Sequence, residues 1–175
     1  PVILVRKLII YKIAILKLKN ANKYIHKWFE FENKPHFKEG KTVYTMDFAK
    51  LQNPNPSMSK GIIIKENGLD NSNKIVELDL TLKENRDGGP LFNKSGKIIG
   101  LLLGKSKAKK SFTYLKNSSE NSSFAIKSSY LKQIMPQQLK RRKKDTTKEN
   151  FNSGINVENI SKEAINNFAF LEVFN

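Results

Sequence analysis

Hydrophobic residues in this chain come in short runs, with little helical spacing among them. From Val2 to Ile10 the sequence is dense in β-branched side chains, and from Ile13 to Leu18 apolar residues occupy both faces up to Lys17. Two adjacent strands are the simplest account of that pattern. Residues 19–41 are polar with scattered aromatics and carry Pro35 and Gly40, so they read as a connection, pinned by Trp28 and Phe29. Further apolar runs follow at Thr42 to Phe48, Gly61 to Lys65, Ile75 to Leu82, Pro90 to Phe92 and Lys97 to Leu103. Between them lie the turn signals NPNPS (Asn53 to Ser57), NGLDNSN (Asn67 to Asn73) and NKSG (Asn93 to Gly96), the last a good hairpin turn. Many short strands at this spacing predict a mainly β fold, an antiparallel barrel or sandwich.

The pattern changes after Ser128. Ser128 to Gln133 reads as a short helix that Pro136 ends or bends. From there the chain is charged, polar and almost without aliphatic residues, so 136–154 is expected to be a basic, flexible linker behind a folded unit spanning 1–135. Residues 155–175 are expected to form a C-terminal helix. Ser161 is its expected N-cap, with Glu163 in the first turn and an Ile160–Ile165 staple. Ile165, Phe168 and Leu171 would make its apolar face, which either docks on the barrel or opens a further domain.

Composition narrows the classes. The chain has 175 residues, 38% hydrophobic and 10% aromatic, enough for one domain with a real core. Its 32 Lys+Arg against 16 Asp+Glu give a formal charge of +16. Such a balance steers towards nucleic acid, anionic membrane or an acidic partner. Lys far outnumbers Arg, however, and Asn is abundant, a bias that an A- and T-rich codon supply produces by itself. No basic stripe interleaved with stacking aromatics is found. Absence of cysteine excludes disulfides, thiol catalysis and Cys-based metal sites in this sequence. His26 and His36 have no acidic partners at ligand spacing, so neither a metal nor a cofactor is expected. The apolar stretch Val2 to Leu18 is interrupted by Arg6, Lys7, Lys12 and Lys17, which makes it neither a membrane span nor a signal peptide. With Pro1 at its head and strand-like sequence directly behind, further sequence upstream is expected.

The stretch NRDGGPLFNKSGKIIGLLLG, Asn85 to Gly104, carries the most chemistry. It resembles the nucleophile loop and returning hairpin of trypsin-like serine peptidases, in the form used by the HtrA/DegP-type branch. In that family a Gly-Asn-Ser-Gly-Gly-Pro or Gly-Asp-Ser-Gly-Gly-Pro loop aims backbone N–H groups at the developing oxyanion. Two further segments match in order. IAILKLKN, Ile13 to Asn20, is similar to the family's Asp-Ile-Ala strand, and SSFAIKSSYLKQIM, Ser122 to Met135, to its Phe-Ala-Ile-Pro strand-to-helix segment. Gly61 to Ile64 falls where the family has a Gly-Ile-Val strand. The resemblance covers about residues 1–135. It implies a trypsin-like (chymotrypsin-type) antiparallel β-barrel with an incomplete first barrel before it, short C-terminal helices, and an extracytoplasmic setting.

The same resemblance implies failed catalysis. A serine triad needs a hydroxyl nucleophile, an imidazole base and an orienting carboxylate. Here Asp87 stands at the nucleophile position and Lys12 at the triad aspartate, while His26 and His36 both follow the aspartate strand. Asn85, Arg86, Asp87, Gly88 and Gly89 form the oxyanion loop, and the Asp87 carboxylate would sit beside donors meant for an oxyanion. Ser95 and Ser106 read as turn and loop hydroxyls. An Asp87 nucleophile would itself lack a base and a protonated leaving amine. Leu82, Phe124 and Ala125 are the implied substrate-pocket positions.

Three functions follow. The first is an inactive peptidase homologue that keeps a groove for a peptide or unfolded protein segment. The second is an active endopeptidase completed by an upstream segment or another chain. The third is a basic protein binding nucleic acid or anionic lipid through Lys140 to Lys144, KRRKK, which as a solvated linker would bind neither.

Overall fold

The structure is a computed structural model and describes residues 2–8, 13–18, 29–50, 53–68, 71–80, 88–103, 122–135 and 160. It is mainly β. Strands β1 (Val2–Leu8) and β2 (Ile13–Leu18) pair antiparallel as a two-stranded sheet, with Leu4 opposite Leu16. The remaining strands are β3 (Thr42–Lys50), β4 (Asn53–Lys65), β5 (Ile75–Asp79), β6 (Pro90–Phe92), β7 (Ile98–Leu103) and β8 (Ser122–Lys127). They close an antiparallel barrel in the order β3-β4-β5-β8-β7-β6. The seam is short: β3 meets β6 at Tyr44–Phe92 and Thr45–Leu91, and the Thr45 hydroxyl donates to the Pro90 carbonyl at 2.8 Å.

Alternation along the strands decides what fills this barrel. Val43, Ile63, Val76, Leu78, Leu91, Leu102 and Ala125 form its interior core, with Phe37 entering from the connection before β3. All six residues of β8 are buried, because both faces of that strand are covered. Ala125 joins the interior, whereas Ile126 clusters outside with Leu131 and Ile134 of helix α1 (Ser128–Ile134), and Ile13 of β2 packs against that cluster. The two-stranded sheet thereby touches this outer cluster at Ile13. Met135 ends the helix with an extended backbone, ψ 133°, as the following Pro136 requires.

The turn at 93–96 forms as expected. Asn93 donates its N–H to the Lys97 carbonyl, its side-chain oxygen accepts the N–H groups of Ser95 and Lys97, and Gly96 takes φ 73°. NPNPS does not separate strands. It lies inside β4, with Pro56 opposite Phe48. The physical reason is that β4 pairs with β5 only at Ile62, Ile63 and Lys65, so among the described strands its first half has β3 as neighbour on one side alone. An edge strand tolerates proline, because a donor missing on its unpaired side belongs to no ladder.

Phe29 does anchor the connection, its ring 5.0 Å from that of Phe92, while Trp28 lies outside the described residues. A second cluster joins Met46 and Phe92 to Ile160, which is fully buried and itself helical, while the expected Ser161 cap lies outside the described residues. The rest of 155–175, and 136–154 with its expected linker, lie outside the described residues. No helix among the described residues is long and apolar enough to cross a membrane.

Candidate functional site

The loop leading into β6 is held by backbone hydrogen bonds from the neighbouring strand. Gly88 takes φ 82°, a left-handed conformation that glycine adopts without penalty. Its N–H donates to the Leu102 carbonyl at 2.9 Å, and the Leu102 N–H returns a bond to the Gly89 carbonyl at 2.8 Å. Pro90 then enters the seam bond with Thr45. Gly88 and Gly89 are thus fixed against β7 on one side and, through Pro90, β3 on the other.

Leu102 is also the register partner of Ala125 on β8, and Leu103 of Phe124. The structure therefore brings the Gly88–Gly89 loop and the two β8 positions into one row across β7. Their separation is two strand spacings, roughly 10 Å. Ala125 and Phe124 are both buried there, Ala125 in the interior core and Phe124 at 3% exposure. Leu82, Asn85, Arg86, Asp87 and Lys12 lie outside the described residues, as do His26 and Ser106.

His36 is at the other end of the barrel. It shares a cavity lining with Asn93, Lys94 and Ser95, which follow β6, whereas Gly88 and Gly89 precede it. Three residues of strand, roughly 10 Å, lie between these groups. Ser95 is part of the turn, its N–H bonded to the Asn93 side chain. Among the described residues no three His, Cys, Asp or Glu side chains are grouped to hold a metal ion.

Lys127, where the related motif has proline, is a feature that sequence reasoning passed over. Its N–H donates to the Lys74 carbonyl at 2.9 Å, a bond proline could not make. Its side chain is buried, with Nζ 3.3 Å from the Asn67 carboxamide oxygen and 5.1 Å from the centre of the Phe37 ring. Burial pushes its pKa down, and the Glu66 carboxylate partly opposes that shift. The departure from proline in FAIK was the available signal.

The closed six-stranded antiparallel barrel fits a trypsin-like barrel in general. A scan against protein-family models finds no match, and neither does a search of the curated proteins.

Proposed function

We propose that the chain is a trypsin-like serine peptidase homologue of the HtrA/DegP-type branch, catalytically inactive, whose groove binds a peptide or unfolded protein segment. The observation that supports this reading is the row Gly88–Gly89, Leu102, Ala125: a clamped Gly-Gly-Pro loop one strand away from β8, where the resemblance implies the pocket positions Phe124 and Ala125. Asp87 immediately precedes Gly88. At that point a carboxylate supplies no hydroxyl, and it competes for the N–H groups that would otherwise stabilise an oxyanion. The location of His36 beyond the far end of β6 gives it no route to that loop. Lys12 offers a cation where an imidazole would need a carboxylate.

The reading is tested by incubating casein with the purified chain and with an Asp87→Ser variant, each also exposed to a fluorophosphonate probe. Neither cleavage nor labelling is expected from either form. Cleavage by the native chain that disappears in Asp87→Ala would overturn the inactive assignment. Binding of unfolded-protein peptides should persist at high salt. A steep loss with salt would instead favour the Lys140 to Lys144 cluster acting on nucleic acid or lipid.

A further inference from the structure

Where the 93–96 turn meets the connection before β3, a cavity of about 390 Å³ opens at the barrel end remote from Gly88. Its two levels differ in chemistry. The floor is made by Val43, Ile63 and Ile99, each at least nine-tenths buried and part of the interior core. The rim carries Lys34, Lys41 and Lys94, all exposed, with the His36 ring among them. Glu32 is the only carboxylate in the described lining, and both its oxygens are engaged. Oε1 accepts the Asn33 N–H at 2.8 Å, and Oε2 accepts Asn93 Nδ2 at 3.0 Å. Three lysines thus face a single carboxylate in the described wall, which leaves the rim net positive.

A bare inorganic anion would satisfy the rim and leave the floor unused. A neutral apolar molecule would do the reverse. We propose that this cavity binds a carboxylate carried on a branched aliphatic body, either as a free acid or as the terminal residue of a peptide. The volume suits a small ligand, and the pairing of an apolar base with a few convergent polar groups is the usual make-up of such a pocket. The site is separate from the Gly88–Gly89 loop, so the proposal does not depend on the peptidase-homologue reading.

The test is isothermal titration of the full chain with 4-methylpentanoate, acetate, inorganic phosphate, and a leucine-terminated peptide as free acid and as amide. Affinity is expected to rise with each added methylene, by up to about fourfold apiece. Binding of either the small acid or the free-acid peptide supports the proposal, and which of them binds more tightly identifies the source. Lys41→Gln and Lys94→Gln should each weaken binding by roughly two- to fivefold, as expected for exposed ion pairs. Lys60→Gln, on the exposed part of β4, should leave it unchanged. Phosphate binding as well as 4-methylpentanoate, an amide peptide binding as tightly as a free-acid peptide that does bind, equal loss in Lys60→Gln, or no binding of any acid would each overturn the proposal.

Discussion

Ser122 donates its hydroxyl to Glu77 Oε1 at 2.8 Å, a side-chain bond buried between the adjacent strands β8 and β5. The second oxygen of Glu77 lies 3.6 Å from Nζ of Lys65, its register partner on β4, but that lysine side chain is 63% exposed. These two partners should therefore matter unequally. Loss of the hydroxyl takes a donor from a buried carboxylate, and Ser122→Ala is expected to cost about 1–3 kcal/mol. Lys65→Met removes a solvent-screened ion pair worth less than about 1 kcal/mol. Urea denaturation of both variants measures the contrast, and a larger loss from Lys65→Met would refute it.

Gly88 and Gly100 are needed for different reasons. At Gly88 the backbone has φ 82° and a Cβ would meet nothing within 4 Å. Gly88→Ala therefore faces only the left-handed strain, about 1–2 kcal/mol, and Gly88→Asn less. At Gly100 a Cβ would lie 2.7 Å from the Ile126 carbonyl oxygen, so β7 and β8 would have to move apart. Gly100→Ala should cost about 2–3 kcal/mol and gain nothing from Asn. Comparing Ala with Asn at each position by thermal unfolding separates conformational strain from steric exclusion.

The β6–turn–β7 unit was readable from sequence because its signals are local: Asn93 caps its own turn, Gly96 takes the positive φ, and apolar strands flank them. Helix α1 was readable for the same reason, bounded by Pro136. NPNPS misled because proline punctuates a chain only where both strand edges are paired, and neighbouring strands are not written in the local sequence. The cavity was not legible at all. Its lysines come from residues 34 and 41 and from residue 94, brought together by barrel closure, and although Lys94 lies in the NKSG turn, that signal speaks of the hairpin and not of a shared cavity. As for the loop chemistry, Gly88 and Gly89 stand against β7 in the structure, while Asp87 and Lys12 remain sequence expectations outside the described residues.

Ile160 supplies a test of how the C-terminal segment meets the barrel. It is fully buried with Met46 and Phe92, and Phe29 packs against the same cluster. Truncating a buried isoleucine leaves a cavity in addition to the lost transfer energy, so Ile160→Ala should cost about 2–4 kcal/mol. Ile160→Asp should detach the segment and raise its susceptibility to proteolysis. An unchanged denaturation midpoint in both variants would show that the barrel does not depend on this contact.

Lys127 should give the stability an alkaline dependence. Its folded-state pKa is lowered from 10.5 by burial first, with the Glu66 carboxylate acting in the opposite direction. Below the folded value the side chain is protonated in both states, and the native state carries the whole cost of burying the charge. As pH rises between the folded value and 10.5, the unfolded chain binds more protons than the native one, so stability increases with pH across that window. The Asn67 bond and the Phe37 ring soften the cost without abolishing it. Lys127→Met removes the titration while keeping an unbranched apolar stem in place. Denaturation measured from neutral pH to 10.5 should show the native chain gaining on Lys127→Met as pH rises, and parallel curves would mean that the charge is not desolvated.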